Sequence, residues 1–307
     1  MNLSIVLLNW NSLAHTRACL HSLFKCAPAP WTARFVVVDN GSPDGSLEKL
    51  RSEFGGCVEF VASGRNLGYA GGNNLGILHA LERGADLVLL LNNDTIVDEN
   101  FLTALHDAAM QHPDHHLFGA KIFYHRRPHT LWYAGGGYNS WLAKVWQHGM
   151  NEADGPPYQS MGEISFITGC CLMIRREAFE RIGILDDELY LYSEDLDFCM
   201  RAKRAGLRLL FVPSARLWHH IGAFRDGELS PLYLYYQTRN RYVVFGRERG
   251  TWYRLWLAVL QVSLYAGMRT FYFLVSRNRR WPQQIRALWH GCLDGFLHRL
   301  GPSQSYQ

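Results

Sequence analysis

Apolar residues in the first part of the chain fall into short, dense runs separated by longer stretches of helical period. IVLLNW (5–10), RFVVVD (34–39), VEFVAS (58–63) and DLVLLLN (86–92) are each short and rich in Val, Leu and Ile, the mark of strands buried on both faces. Segments 14–26, 45–54, 73–83 and 98–111 between and after them carry the helical spacing. This alternation predicts an α/β fold of βαβ units, with a mainly parallel, Rossmann-like sheet flanked by helices. In such sheets ligands gather at the carboxyl ends of the strands. The polar residues of this half collect there: Asn9 and Asn11 after the first strand, Asp39 and Asn40 after the second, Asn92 to Asp94 after the fourth.

The periodicity then weakens. Residues 125–162 are rich in Gly, Trp and Tyr, with WYAGGGY at 132–138, and read as loops and short strands of the kind that carry specificity. ISFITGCCLMI (164–174) reads as one strand. SEDLDFCMRAKRAG (193–206) reads as a helix with Ser193 as N-cap and Gly206 at its end. LRLLFVP and RLWHH follow as strands, and from about 230 the chain turns helical. The expected division is a catalytic unit over 1–229, with halves 1–125 and 126–229, and a helical region over 230–307.

The longest uncharged run of that last region, Leu255 to Met268, is fourteen residues bounded by Arg254 and Arg269. A spanning helix needs about 20 apolar residues. The run therefore predicts an interfacial amphipathic helix or a helix hairpin resting on a bilayer, the alternative being a surface helix packed on the catalytic unit. Charge strengthens the membrane reading. The net charge is +4, yet residues 251–307 hold seven arginines against Asp294 alone, so this region is +6 and the remainder −2. Its eleven aromatics alternate with Leu and Val instead of with lysines, which favours an anionic membrane surface over nucleic acid.

Seven cysteines, an odd number with Cys170 and Cys171 adjacent and no CxxC pair, suit reduced thiols in a cytosolic compartment. MNLSIVLLNWN lacks a basic leader and reads as a first core strand, not a signal peptide.

Each candidate motif has a plain structural reading and a chemical one. Asp39 in VVVDNGSPDGS either makes an Asx-turn or accepts the N–H of a pyrimidine base. Asn92, Asn93 and Asp94 either form a polar strand-to-helix turn or present a hard-cation ligand beside a diphosphate. Glu194, Asp195 and Asp197 complement a helix dipole, but three acids in one turn repel unless a cation or a task offsets them. One of them could take a proton from an attacking hydroxyl. They are expected at the helix mouth, outside the core. Of His219 and His220, adjacent on a strand, at most one faces the site. GRNLGYAGGNNLG (64–76) suits a phosphate or ribose ahead of a helix, but its glycines do not spell GxGxxG. A nicotinamide-dependent oxidoreductase would need that fingerprint after the first strand, where the sequence is NWNSLAH.

The order IVLLNWN, VVVDNGSPDGS, NLGYAGGNN, LLLNNDT, FITGCCLMIRRE, SEDLDFCMRAKRAG, LWHHIGA, YYQTRNR resembles family 2 glycosyltransferases, inverting enzymes of GT-A fold. It is most similar to their bacterial rhamnosyltransferase-like branch, from residue 3 to about 250, with a weaker echo at 287–301. The resemblance implies a nucleotide-sugar donor, dTDP-rhamnose or a UDP-hexose, and Mg²⁺ or Mn²⁺ as cofactor. It also implies a saccharide or lipid-linked saccharide acceptor, and a cytoplasmic site peripheral to the inner face of the cell membrane. Position by position, Asn9 and Asp39 would bound the nucleobase pocket, with Asn66 and Asn73 near the nucleotide. Asn92, Asn93 and Asp94 match the DxD-type motif, Asp94 being the metal ligand, and His219 (or His220) completes the site. Gly169 begins the acceptor wall, Asp195 is the base with Glu194 beside it, and Arg239 would reach the leaving diphosphate. A non-catalytic nucleotide-sugar-binding protein on the same fold is the rival reading.

Overall fold

A computed structural model describes residues 1–26, 32–221, 224–225, 228–276 and 279–306. The first half runs β1 (Asn2–Asn9), α1 (Leu13–Leu23), β2 (Thr32–Asp39), α2 (Ser46–Phe54), β3 (Val58–Ala62), α3 (Gly68–Glu82), β4 (Leu87–Asn92), β5 (Thr95–Val97) and α4 (Phe101–Gln111). Then come β6 (Leu117–Tyr124), β7 (Arg127–Tyr133), β8 (Gly136–Asn139), β9 (Lys144–Gln147), β10 (Gly162–Ile164), β11 (Cys171–Arg175), α5 (Arg176–Ile182), α6 (Glu194–Arg204) and β12 (Leu209–His219). Two short strands, β13 (Phe224–Arg225) and β14 (Glu228–Leu229), lead to α7 (Pro231–Gly246), α8 (Thr251–Leu260), α9 (Met268–Ser276) and α10 (Trp281–Phe296). The final two residues of the LWHHIGA motif lie outside the described residues.

The main sheet has ten strands in the order β10-β12-β6-β11-β4-β1-β2-β3, with β5 added on β12 and β7 on β6. Strands β4, β1, β2 and β3 are parallel, and β12 is parallel to β6. β11 runs antiparallel between β4 and β6, so the sheet is mixed but mostly parallel. In the parallel half, Asn9 pairs with Asp39 and Leu8 with Asn92, so three strands deliver their polar ends to one edge in register. β8 and β9 form a separate hairpin.

Three expectations change. The run 164–174 is not one strand: it breaks after Ile164 and resumes at Cys171, because the peptide of Gly169 is bonded to side chains and not to a sheet neighbour. The glycine-rich stretch does not precede α3 but forms its first turns. Its glycines are needed there, since a Cβ on Gly72 would stand 2.5 Å from Leu8 Cδ1 and one on Gly76 2.3 Å from Val6 Cγ1. Finally, the helix that holds the fourteen-residue uncharged run is longer than the run itself and extends past Arg254 and Arg269. It runs from Thr251 to Ser276, 26 residues that include an 18-residue stretch of mean hydropathy 1.3, long and apolar enough to cross a membrane by length and composition. Arg254 bonds back to Gly246 O (3.0 Å), and Arg269 lies over the Tyr265 ring at 4.3 Å.

The helices after residue 230 are not separate from the core. Val243, Val244 and Phe245 of α7 and Tyr253 and Leu257 of α8 join the apolar cluster built by the sheet. α10 lies along α7.

The close contact of α3 with β1 yields a stability test. Gly76→Ala gains helix propensity but forces a methyl into a space already filled by Val6, and overpacking of this kind costs about 1–3 kcal/mol. Thermal denaturation should give a lower midpoint for Gly76→Ala and an unchanged one for Leu78→Ala, on the exposed side of the same helix. An unchanged midpoint for Gly76→Ala would contradict the packing.

Candidate active site

At the ends of β1 and β2, Asn9 is fully buried. Its Nδ2 donates to Asp39 Oδ1 (2.9 Å), Ser46 Oγ (2.8 Å) and, more weakly, Ser42 Oγ (3.2 Å). Its Oδ1 accepts from Thr16 Oγ1 (2.8 Å), and Thr16 in turn accepts from Asn93 Nδ2 (2.7 Å). Asp39 takes a second bond from Ser42 N (3.0 Å). Asn9 therefore stands behind Asp39 and orients it, and does not itself line a pocket as expected. Thr16, Ser42 and Ser46 were missed in the sequence; the SPDGS turn signalled the two serines, and nothing signalled Thr16.

Asn40, also buried, clasps the entry to α3. Its Nδ2 donates to Asn66 Oδ1 (3.1 Å) and Gly68 O (3.0 Å), and its Oδ1 accepts from Leu67 N (3.0 Å). Asn66 is exposed at this rim. Asn73 differs from expectation: it is buried within α3 and spends its amide on Tyr69 O (2.9 Å), one turn back.

The end of β4 faces the end of β12. His219 Nε2 lies 3.1 Å from Asp94 Oδ1, without forming a hydrogen bond. Asn92 Oδ1, Asp94 Oδ1 and His219 Nδ1 are buried atoms with no hydrogen-bond partner. Unpaired buried acceptors are costly, and a cation held by Asp94 Oδ1 removes that cost, with His219 Nε2, not the unpartnered Nδ1, as the ring nitrogen beside it. The spacing also fits: two adjacent ligands about 2.0–2.2 Å from one ion lie roughly 3 Å apart. The residues present thus suit a divalent cation. His220 turns away, stacking on His125 at 3.5 Å with His15 at 4.9 Å, and only its backbone N–H meets Asp94, at the carbonyl (2.9 Å). Asn92 N donates to Cys170 O (2.9 Å), which ties this edge to the break between β10 and β11.

In that break, Tyr69 Oη donates to Gly169 O (2.6 Å) and Gly169 N donates to Asp195 Oδ2 (2.8 Å). The Gly169 peptide is held at both ends, and a Cβ there would stand 3.2 Å from the Tyr69 hydroxyl. Asp195 Oδ1 accepts from Leu196 N (2.7 Å). Burial raises the Asp195 carboxyl above its ordinary range, opposed by the N–H bonds from Gly169 and Leu196. Burial pushes Glu194 well above the usual range too, and the neighbouring Asp195 charge adds to it. Glu194 Oε2 is buried and unpartnered. Desolvation and the nearby charges of Glu194, Asp195 and Asp94 also raise the Tyr69 phenol, so it stays a hydrogen-bond donor. Tyr69, lying between glycines in the sequence, was the principal residue missed.

Three expectations at α6 are corrected. Ser193 stands at the N-cap position but in the left-handed region (φ 69°) and makes no capping bond; its Oγ donates to Gln237 Oε1 (3.4 Å). The acids are not at an open helix mouth: Glu194 and Asp197 are buried. Asp197 turns from the site to Arg201 Nε (2.7 Å) and Arg247 Nη1 (2.9 Å), which offsets the excess charge of that turn.

Arg239 also differs from expectation. It is buried, with Nη2 donating to Leu189 O (2.9 Å), Nη1 to Gly301 O (2.7 Å) and Nε to Asn240 Oδ1 (2.8 Å). These bonds occupy it far from a substrate role. Asn240 donates to Leu189 O, Leu191 O and Tyr192 O at 2.7–2.9 Å. Together they hold a loop in which Tyr190, Tyr192 and Ser193 all have positive φ, and whose Tyr190 O receives Tyr69 N (2.7 Å).

Comparison with known proteins agrees with this geometry. The chain is 26% identical over 275 residues to the N-acetylglucosaminyl-diphospho-decaprenol L-rhamnosyltransferase of Mycobacterium tuberculosis, covering 82% of this chain and 86% of that one. It is 26% identical to the dTDP-rhamnosyl transferase RfbF of Shigella flexneri, covering 69% and 71%. Its fold matches the mannosyltransferase PcManGT of Pyrobaculum calidifontis, solved with GDP-Man and Mn²⁺, with a TM-score of 0.59 at 13% identity over 97% of this chain and 87% of that one. The profile of Glycosyltransferase like family 2 matches residues 2–244. With its mixed, mostly parallel sheet, its strand-end polar cluster and its rhamnosyltransferase relatives, the chain belongs to the family 2 glycosyltransferases.

Proposed function

We propose that this glycosyltransferase transfers a sugar from a nucleotide-diphosphate donor to an acceptor hydroxyl in cell-surface polysaccharide or glycolipid assembly, by a single inverting displacement. The observation that carries the reading is the desolvated Asp195 carboxylate, fixed by Gly169 N–H beside the Asp94–His219 edge. The rhamnosyltransferase relatives favour dTDP-rhamnose as donor, ahead of a UDP-hexose, and the decaprenol-linked acceptor named for one of them favours a lipid-linked saccharide.

Asp39, oriented by Asn9, receives the base, and Asn66 borders the nucleotide at the entry to α3. Residues 1–125 thus serve the donor and 126–229 the acceptor. Asp94 and His219, with Asn92 beside them, would hold Mg²⁺ or Mn²⁺. Such an ion, when bound, neutralises the donor diphosphate. Asp195 accepts the acceptor's hydroxyl proton as the hydroxyl oxygen forms its bond to the anomeric carbon. The bond from that carbon to the diphosphate oxygen breaks on the opposite face, and the nucleoside diphosphate departs. Configuration inverts, and no covalent intermediate with the protein is required. The buried Glu194 carboxyl, with one oxygen unpartnered, is available to a sugar hydroxyl. The basic, aromatic C-terminal region rests on the anionic inner face of the cell membrane, where a lipid-linked acceptor is presented.

Two tests follow. Asp94→Ala should remove the Mn²⁺-dependent part of UDP or dTDP binding in calorimetric titrations; wild-type affinity with Mn²⁺ would remove Asp94 from the ion's ligands. Asp195→Asn should keep nucleotide binding and lower transfer by about 10²–10⁴-fold, mainly in kcat. Because burial raises this carboxyl, the acid limb of the wild-type kcat profile should lie above the ordinary aspartate range near about 3.9, with the rate rising with pH as the base ionises. Near-normal turnover in Asp195→Asn, with Glu194→Gln inactive, would move the base to Glu194.

A further inference from the structure

The helix Thr251–Ser276 has one face covered and one bare. On the covered face, Tyr253, Leu257, Gln261, Ala266 and Phe273 are buried. Gln261 donates to Thr238 O of α7 (2.8 Å), Ala266 clusters with Leu288 and Cys292 of α10, and Phe273 joins the cluster around Leu234 and Tyr236 of α7. On the bare face stand Trp252 (85% exposed), Trp256, Val259, Leu264, Met268 (64%), Phe271 (70%) and Val275 (67%).

The spacing of both faces is informative. The bare face advances by three or four residues except from Val259 to Leu264, and the covered face has a matching five-residue step from Gln261 to Ala266, followed by a two-turn step of seven to Phe273. That step coincides with the π-helical segment Gln261–Gly267, whose wider turn absorbs the extra residue. Without it the apolar stripe would rotate into α7. The π turn keeps it on a single side over the full length of the helix.

A second element meets the start of this stripe. The β8–β9 hairpin tip exposes Trp141 (56%) and Leu142 (54%). Tyr253 Oη donates to Ser140 O, and Trp256 Nε1 donates to Trp141 O (3.0 Å). Arg249 lies over the Trp141 ring at 4.1 Å. Trp141, Trp252, Tyr253 and Trp256 line one open cleft of about 410 Å³. The hairpin is therefore fastened to the helix with its indole beside those of α8.

The geometry points to a single lipid-inserting surface made of the β8–β9 hairpin tip and the bare face of Thr251–Ser276, with the helix lying in the plane of the bilayer. This rests on the membrane reading above and deepens it. The occupant is an anionic bilayer for two reasons. The region from 251 carries +6, with Arg254 and Arg269 on this helix, so two copies face to face would repel where anionic headgroups attract. Indoles beside an arginine are also the composition that settles at the headgroup level. The helix lies in the plane because it is bound to α7 and α10 from Gln261 to Phe273. Crossing the bilayer would draw α7, with its buried Arg239 and Asn240, into hydrocarbon or break those contacts.

The test uses the full chain with phosphatidylcholine vesicles, with and without phosphatidylglycerol. The wild type should float with the phosphatidylglycerol vesicles and be released by alkaline carbonate. Trp141→Ser/Leu142→Ser and Trp252→Ser/Val259→Ser should each weaken flotation by about tenfold or more, with thermal midpoint and nucleotide binding unchanged. Flotation of the hairpin variant equal to wild type overturns the joint surface while leaving the membrane reading standing. Retention after carbonate overturns the in-plane orientation. Failure of the wild type to float, with a stable dimer by light scattering, overturns the membrane reading itself and assigns the face to a second copy.

Discussion

The site depends on a requirement met at the ends of β4, β1 and β2: polar groups delivered into a buried edge must all find partners. Asn9 meets it by engaging both ends of its amide, toward Asp39 and the serines on one side and Thr16 on the other. Thr16 extends the connection to Asn93, so the aspartate at the end of β2 and the polar triplet after β4 belong to one network. A shift of one residue in the pairing of β1 with either neighbour would turn Asn9 to the other face and leave Asp39 without its donor. The register of the apolar strands and the chemistry of the edge are therefore the same constraint. Where the network stops, at Asn92 Oδ1 and Asp94 Oδ1, the atoms without partners are the ones suited to a cation.

A second dependence runs from the C-terminal helices to the buried acids of α6. The loop before α6 carries three non-glycine residues at positive φ, a conformation that persists only when neighbours impose it. Asn240 and Arg239 supply that restraint from α7 by binding the carbonyls of Leu189, Leu191 and Tyr192. The same loop receives the backbone N–H of Tyr69, whose hydroxyl holds Gly169, which holds Asp195. α7 is thus linked through Arg239 and Asn240, midway along it, to the loop that leads to Asp195, and through Thr238 and Leu234 to the helix with the bare apolar face. The helical region therefore restrains the loop that positions Asp195, whatever its bare face meets.

Much of this was legible in the sequence, and the limits have physical causes. The four strands of the nucleotide half announce themselves because burial on both faces leaves runs such as LVLLL with no polar residue to confuse the period. The strand-end residues follow from those runs. What the sequence hid was side-chain direction. Arg239 and Asn73 sit in motifs rich in polar residues, yet each is turned inward to a backbone carbonyl, and no spacing rule distinguishes that from facing a ligand. The break at Gly169 was hidden for a related reason. ISFITGCCLMI is apolar enough for one strand, and only the tertiary bonds from Tyr69 and to Asp195 interrupt it. The uncharged run Leu255 to Met268 understates the apolar length of the C-terminal helix, because a charge count excludes arginines that the helix carries along its surface. On a helix surface an arginine can lie over a ring, as Arg269 does over Tyr265, and the helix continues.

The charge arrangement at the edge also separates roles among the acids. Asp197 is neutralised by Arg201 and Arg247, and so is a structural acid. Asp94 has His219 beside it, while desolvation raises both Glu194 and Asp195 and the Asp195 charge raises Glu194 further. Where these carboxyls ionise, the edge favours whatever brings positive charge to it. On the proposed mechanism, a divalent cation held by Asp94 and His219 would do so in the ground state. A sugar carbon with oxocarbenium character does so only as the bond to the diphosphate breaks, and stabilisation confined to that moment is what accelerates a reaction. The same desolvation that makes Asp195 costly to ionise makes it a stronger base once ionised, so on the proposed mechanism its burial would favour both proton removal and attraction of the transition state.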